Sequence, residues 1–285
     1  MRPVSTDARL YLVAESQVAG RRGTAVESYR LPHVDDVGSF ASGHLWVQEL
    51  IDGGRLRFRL RSSGRLEFGD DRRVFETVPP RYRSAVRHVR ETLDRGALRA
   101  AVDDVETVTF VAEATYRRAV PYDLAETPPA LGLAVLEAGT PLSPDAVEGV
   151  YDRLGLETVP VVDREVRAAD FDVDAGAIPE SAWYDGPAAG VVVRNKTGDR
   201  ARLPNPELEL DYDPEPFKAD AATLAERLAT DELLERVADG PEAFERLFEA
   251  VLRRHHGRLL HRETAVDRGA LRSALSRRLE VWRAG

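Results

Sequence analysis

Residues 46–61 read WVQELIDGGRLRFRLR, the most strongly patterned segment of the chain. It contains an apolar segment, an Asp-Gly turn, and a second segment in which apolar residues alternate with Arg55, Arg57, Arg59 and Arg61. This pattern predicts a β-hairpin. Because strand side chains alternate between faces, the second strand should have one apolar face and one face with four guanidinium groups. We expect this arginine face either to bind nucleic-acid phosphates or to pair with acids on neighbouring strands.

Charge is distributed unevenly along the chain. The 285 residues carry a formal charge of −9, which argues against nonspecific coating of nucleic acid because the net field repels phosphate. Residues 46–100, however, contain 13 arginines and 8 acidic residues, a net charge of +5. A basic region on an acidic protein predicts a confined phosphate site.

Some residue types are absent or rare. The chain has no cysteine, which excludes disulfides, thiolate metal sites and cysteine nucleophiles and fits the cytoplasmic location that we expect. Its apolar segments are too short to span a bilayer, so no membrane partner is expected. His255, His256 and His261 lack the i, i+4 spacing of a helical metal pair, so no metal site is expected there.

The chain divides into an irregular lead-in over residues 1–30, a strand-rich body over residues 31–215 and a helical domain over residues 217–285. Within the body, the patterns predict helices at 81–95 and after Ser143-Pro144, strands at 107–113, 131–136 and 159–162, and a hairpin of 190–194 with 200–203. The predicted fold class is α+β, with antiparallel sheets flanked by helices and a C-terminal helical domain.

Five short motifs follow one another along the body. They are Glu49-Leu50-Ile51-Asp52-Gly53, a strand ending at Glu113, a strand containing Leu133, the segment Ala189-Gly190-Val191-Val192-Val193-Arg194, and a last strand containing Arg202 and Pro204. Their order and separations resemble the RNA ligase branch of the covalent nucleotidyltransferase superfamily, especially its small single-protein RNA ligases. The resemblance covers residues 39–206 and implies an RNA ligase-like adenylation domain.

The resemblance also shows where this chain departs from the family. In RNA ligases the first motif contains a lysine that attacks the α-phosphate of ATP, and Leu50 stands at that position here. The family's metal-associated carboxylate is replaced by Ala189, the aromatic residue that stacks on adenine by Leu133, and one of two phosphate-binding lysines by Pro204. The resemblance implies ATP with Mg²⁺ as cofactors, and these replacements leave both open.

The remaining motif residues form a binding set without a catalyst. By resemblance, the residues that would contact a nucleotide are Glu49, Asp52, Gly53, Glu113, Leu133, Arg194 and Arg202. Covalent adenylyl transfer needs an amine that loses its proton near neutral pH, which neither leucine nor arginine supplies. Lys196 would reach the pocket only if its turn folded over it.

Three functions follow from these observations. The first is an RNA ligase-like protein that binds nucleotide or RNA ends without lysine self-adenylylation. The second is an active ATP-dependent RNA ligase, or a ligase of pre-adenylylated ends, that forms 3′-5′ phosphodiester bonds. The third is a structural or partner-binding protein. The sequence leaves open whether the C-terminal helices contact RNA or a protein partner.

Overall fold

The computed structural model describes residues 31, 43–171, 178–196, 198–261, 263 and 266–285. The lead-in expected over residues 1–30 lies outside this range. Among the residues that the structure describes, none of the helices combines the length and apolarity needed to cross a lipid bilayer.

The strands of the body form two antiparallel sheets. The five-stranded sheet has the order β3-β2-β4-β5-β6 and is built from β2 (Gly54–Leu60), β3 (Leu66–Gly69), β4 (Val108–Ala114), β5 (Ala130–Glu137) and β6 (Thr140–Pro141). The four-stranded sheet has the order β7-β1-β8-β9 and is built from β1 (His44–Glu49), β7 (Val161–Arg167), β8 (Gly190–Asn195) and β9 (Arg200–Pro204).

Within the described ranges, three α-helices belong to the body and four follow it. The body helices are α1 (Arg83–Thr92), α2 (Arg95–Ala101) and α3 (Pro144–Arg153). The C-terminal helices are α4 (Ala221–Leu228), α5 (Asp231–Val237), α6 (Ala243–Leu259) and α7 (Arg268–Ala284). The predicted α+β class, with antiparallel sheets, flanking helices and helices at the C-terminus, is confirmed.

The alternation in β2 separates two layers of the core. Leu56, Phe58 and Leu60 join a cluster with the body helices, where Phe58 stacks on Phe110 with ring centroids 4.9 Å apart. The opposite face of the five-stranded sheet meets the four-stranded sheet across a second cluster. Burying apolar side chains on both faces stabilises the sheet, by about 1.5–3 kcal/mol for each large side chain. We refer to the region where the two sheets face each other across this second cluster as the cleft. The sequence motifs meet there.

The hairpin predicted for residues 46–61 is wrong, because β1 and β2 belong to different sheets. β1 pairs with β7 and β8, whereas β2 pairs with β3 and β4. The Leu50 amide still donates to the Gly190 carbonyl at 2.9 Å, so the chain leaves the first sheet only after that residue. A Cβ at Gly53 would lie 2.7 Å from the Ala114 carbonyl oxygen, so glycine permits the close crossing to the second sheet.

Most other predicted elements match the structure within two residues, and two differ. The helix predicted at 81–95 is a short 3₁₀ turn followed by α1, which ends at Thr92. Asp94 then begins a separate helix by accepting a hydrogen bond from the Ala97 amide at 2.8 Å. The strand predicted at 159–162 extends as β7 to Arg167, because its pairing with β1 continues to that residue.

The C-terminal helices pack around a hydrophobic cluster of their own, which extends from Phe217 to Leu279. Helix α6 also contacts the body through Arg253, whose side chain is buried. Its Nε donates to the Thr115 carbonyl at 2.8 Å, and its Nη atoms donate to the carbonyls of Leu124 and Thr127 at 2.9 and 2.7 Å. These hydrogen bonds fix the C-terminal helices beside the loops that follow β4.

Candidate functional site

The position expected for a nucleophile lies on an apolar floor. Leu50 is buried, and its side chain joins a cluster with Ile51, Leu133, Ala189 and Val192. We refer to these five residues as the floor. They come from both sheets, so apolar side chains fill the cleft where the resemblance would place a nucleotide.

The two lysines lie outside the cleft. Lys196 follows β8, and its Nζ forms an ion pair with Glu165 of β7 at 2.6 Å. Hydrogen bonding to Glu165 raises the pKa of the Lys196 ammonium, which keeps it protonated and poorly nucleophilic. Lys218 is exposed in the segment before α4. Neither lysine occupies the place of Leu50.

A charged rim surrounds the point where the chain crosses between the sheets. It consists of Asp52, Arg55, Glu113, Arg118 and Arg202. Arg55 Nη2 lies 3.1 Å from Glu113 Oε1, across the pairing of β2 with β4. Arg118 Nε lies 2.8 Å from Asp52 Oδ1, and Arg118 Nη1 donates to the Gly53 carbonyl at 3.3 Å. Two carboxylates and three arginines therefore meet at one edge of the cleft.

Burial and charge oppose each other at Glu113. Burial raises the pKa of this carboxyl, while Arg55, Arg118 and Arg202 act in the opposite direction. Arg202 is exposed on β9 of the facing sheet, where it pairs with Val192 of the floor. The rim thus combines a buried carboxylate with guanidinium groups that reach solvent.

Asp52 organises the crossing itself. Its amide donates to the Tyr122 hydroxyl at 2.8 Å, and its Oδ2 accepts from the Val120 amide at 3.1 Å. With Arg118 on Oδ1, both carboxylate oxygens are engaged. Asp52 therefore ties the chain between the sheets to residues 118–122, which differs from the two-residue turn that Asp-Gly suggests locally.

Glu49 lies at the end of β1 and is held from another loop. Ser181 Oγ donates to Glu49 Oε1 at 2.6 Å, and the Ala182 amide donates to Oε2 at 3.1 Å. Burial raises the pKa of Glu49, and these two hydrogen bonds partly offset that effect. Through these contacts, the segment around Ser181 holds the carboxylate of the first motif in place.

Arg194 connects the sheets from within the cleft. It is buried on β8, and its Nη1 donates to the Leu133 carbonyl of β5. Its Nη2 is buried without a hydrogen-bond partner in the part of the chain that the structure describes. Arg194 therefore contacts the floor through Leu133.

The arginine face of β2 is paired with carboxylates. Arg57 Nη2 lies 2.7 Å from Asp71 Oδ1 and its side chain is 1% exposed. Arg59 and Arg61 both contact Glu67, and Arg61 also reaches Glu106 at 3.3 Å. These contacts match the alternative in which the arginines pair with neighbouring acids. Binding of nucleic acid by these three arginines remains a prediction.

The residues present do not fit a divalent cation. Ala189 supplies no carboxylate, and the carboxylates of Glu49, Asp52 and Glu113 are engaged by hydrogen-bond donors or arginines. Within the described ranges, no three histidine, aspartate or glutamate side chains group as a metal site. The adenine position fits no better, because Leu133 is buried and has no ring to stack. Five cavities open elsewhere on the described surface, and no residue of the floor or the rim lines them.

Arg118 is a residue of the rim that the sequence motifs do not indicate. It follows β4 and is the fifth residue after Glu113, in the pair Arg117-Arg118. Its partner Asp52 is distant in the chain, so the ion pair is not visible locally. The available signal was the coincidence of an arginine pair with the end of the strand that carries Glu113.

Comparisons with known proteins give matches in solved structures alone. No protein-family model and no curated protein sequence matches the chain. An RNA ligase of Naegleria gruberi solved with PPi is 13% identical with a TM-score of 0.49, over 72% of this chain and 61% of that chain. An archaeal ATP-dependent RNA ligase is 15% identical with a TM-score of 0.47, over 92% of this chain and 65% of that chain.

Both structures are RNA ligases, the proteins that the sequence motifs resemble. A mutant of the Naegleria enzyme solved with AMP and Mn is 11% identical, has a TM-score of 0.49, and matches 64% of this chain. The present chain spans about three fifths of the length of the solved structures that it matches.

Proposed function

We propose that this chain is an RNA ligase-like protein that binds the phosphate end of RNA at the charged rim and does not adenylylate itself. The observation that carries the proposal is the contrast at the crossing between the sheets. Leu50 is packed into the floor, while Arg118, which pairs with Asp52, and Arg202 of β9 both reach solvent. The site therefore keeps phosphate-binding groups and has no nucleophile.

A covalent lysyl intermediate lacks support from the available lysines. The chain contains Lys196 and Lys218 alone. Lys196 is paired with Glu165, and both lysines are exposed. An attacking lysine needs a depressed pKa from burial or neighbouring cations, and the pKa of Lys196 is raised instead.

The rim suits a phosphate end more than a whole nucleotide. Arg118 and Arg202 offer planar forks of donors that match phosphate oxygens, and Glu113 is positioned to accept from a ribose hydroxyl. The floor leaves adenine no stacking surface, because Leu133 and Val192 pack within the apolar cluster. Binding at the rim requires no metal ion, in agreement with the engaged carboxylates.

The test is filter binding of single-stranded RNA with a 5′-phosphate and of the same RNA with a 5′-hydroxyl, titrated with salt. We expect tighter binding of the phosphorylated RNA, and a roughly tenfold loss in Arg202→Gln, since phosphate contacts by arginine are worth about 1–3 kcal/mol. Removing one phosphate contact should also reduce the slope of log affinity against log salt by about 1.

The matched control is Arg277→Gln on α7, which removes an exposed arginine far from the rim in sequence. This variant should bind as the unaltered protein does. Equal binding of both RNAs, or equal losses in the two variants, would refute the proposal. Binding that is unaffected by Arg202→Gln and Arg118→Gln would favour a structural or partner-binding role.

A further inference from the structure

A second basic site lies between the body and the C-terminal helices. A cavity of about 340 Å³ is lined there by His88 of α1, the loop at 124–129, Arg236 of α5, and Arg253 and Arg254 of α6. Its volume is at the lower end of the range for small-molecule sites, about 300–1,000 Å³. No residue of the floor or the rim lines this interdomain cavity.

Arg253 brings a buried charge to the cavity wall, and no carboxylate pairs with it among the residues that the structure describes. Its hydrogen-bond acceptors are the carbonyls of Thr115, Leu124 and Thr127 and the Thr115 hydroxyl, all of them uncharged. Burial lowers its pKa to about 9, and Arg254 adds to this effect. Carbonyls orient a guanidinium but do not neutralise it, so the charge remains unbalanced at the wall.

Two further arginines add to the positive charge at the cavity wall. Arg254 is half-buried and forms no ion pair with a carboxylate among the described residues. Burial lowers the pKa of Arg254 and the neighbouring Arg236 lowers it further, while Glu232 and Asp123 act in the opposite direction. Arg236 is itself paired with Glu232 at 3.3 Å, where both side chains are largely exposed.

His88 supplies an unused polar atom. It is half-buried, and its Nε2 is buried without a hydrogen-bond partner within the described part of the chain. Burial lowers the pKa of His88, so the ring is neutral at pH 7 and carries one N–H donor. A ligand with acceptor oxygens would satisfy it.

The acids at the cavity do not compensate for these cations. Glu126 and Glu157 line it, but both are exposed, and neither forms an ion pair with the three arginines in the residues that the structure describes. Their carboxylates are free to stay in water, whereas Arg253 is not. The interior of the cavity is therefore the more positive part.

We propose that the interdomain cavity binds a phosphoryl oxyanion between helix α1 of the body and helices α5 and α6. Guanidinium forks and a neutral imidazole N–H match tetrahedral oxyanions, and such a ligand would supply the charge that Arg253 and Arg254 lack. Because its contacts come from both parts of the chain, the ligand would stabilise the docking of the C-terminal helices. The same phosphoryl group is present in inorganic phosphate and in nucleoside monophosphates.

The test measures the melting temperature of the full chain against inorganic phosphate, with chloride holding the ionic strength constant. The melting temperature of the unaltered protein should rise with phosphate, because a ligand that binds only the folded state stabilises it. Arg254→Gln should lose most of this rise, and Arg254→Lys should keep part of it. Arg227→Gln, an exposed arginine of α4 outside the cavity, is the matched control and should respond as the unaltered protein does.

Each comparison is made within one variant, with and without phosphate, so a general loss of stability does not obscure the result. An equal rise in every variant would indicate exclusion of phosphate from the surface and would overturn the proposal. No rise in the unaltered protein would overturn it as well. Repeating the titration with AMP distinguishes the sources: a larger rise with AMP identifies a nucleotide phosphate, and a smaller one identifies free phosphate.

One further variant separates this site from the rim. Arg202→Gln should weaken RNA-end binding and keep the part of the phosphate-dependent rise that Arg254→Gln loses. Loss of the rise in Arg202→Gln would place the phosphate at the rim and overturn the interdomain site without affecting the proposed function. A rise that depends on Arg254 would stand even if the rim bound no RNA.

Discussion

The floor and the rim of the cleft lie within a few residues of each other and have opposite chemical character. Leu50 and Ile51 pack into an apolar cluster, and Asp52, directly after them, holds Arg118 through an ion pair. On the facing sheet, Val192 belongs to the floor, and Arg202, its partner in the strand pairing, belongs to the rim. The contrast shows that apolar packing and charge at this place are carried by different side chains, so one can change without the other.

The largest expected effect tests whether the floor is closed to charge. Leu50→Lys introduces a lysine at the position where RNA ligases carry one in the motif that this segment resembles, and it places an ammonium among buried apolar side chains. We expect a loss of about 4 kcal/mol in the free energy of unfolding at pH 7, from chemical denaturation, because burial disfavours the charged amine. Leu50→Met is the control, with a cost below about 1.5 kcal/mol. A Leu50→Lys protein as stable as the control would show that the cleft admits water.

The next effect concerns the link between floor and rim. Asp52→Asn keeps an acceptor for the Val120 amide and removes the charge that holds Arg118. The free energy of unfolding should fall by about 1–3 kcal/mol. Affinity for 5′-phosphorylated RNA should rise, because Arg118 loses its internal carboxylate partner. If affinity for the RNA fell together with stability, Asp52 would be positioning Arg118 for binding, and the two residues would act together.

A smaller effect distinguishes the rim by its pH dependence. The pKa of Glu113 is raised above its ordinary value of 4.5, chiefly by burial. Between 4.5 and the raised value the folded state holds more protons than the unfolded state, so stability falls as pH rises through that window. Glu113→Gln cannot titrate and should lack this contribution. Urea unfolding at several pH values should show a shallower decline for the variant, and identical profiles would contradict the assignment.

Local patterns predicted which segments of the body form strands and helices better than they predicted which strands pair. The alternation in β2 placed Leu56 and Phe58 on one face and the arginines on the other, and the structure has that arrangement. The hairpin of β1 with β2 was wrong because strand pairing depends on β7 and β8, whose residues lie more than 100 positions away. An Asp-Gly sequence occurs both in hairpin turns and at crossings between sheets, so it does not distinguish the two.

The site was predicted in part for the same reason. The resemblance assigns Glu113 and Arg202 to one nucleotide site, and that assignment stays a prediction. It did not indicate that Arg57 is paired with Asp71, or that Arg118 holds Asp52, since each pair forms by packing between separate segments. Burial decides which arginines face solvent, and the alternating pattern alone does not contain that information.

We propose above that the protein binds RNA ends without a covalent catalyst. The decisive measurement is incubation of the protein with ATP labelled on the α-phosphate and Mg²⁺, followed by acid precipitation and peptide mapping. We expect no acid-stable lysyl adduct, in protein that still binds 5′-phosphorylated RNA. An adduct on Lys196 or Lys218, lost when that lysine is replaced by arginine, would contradict it.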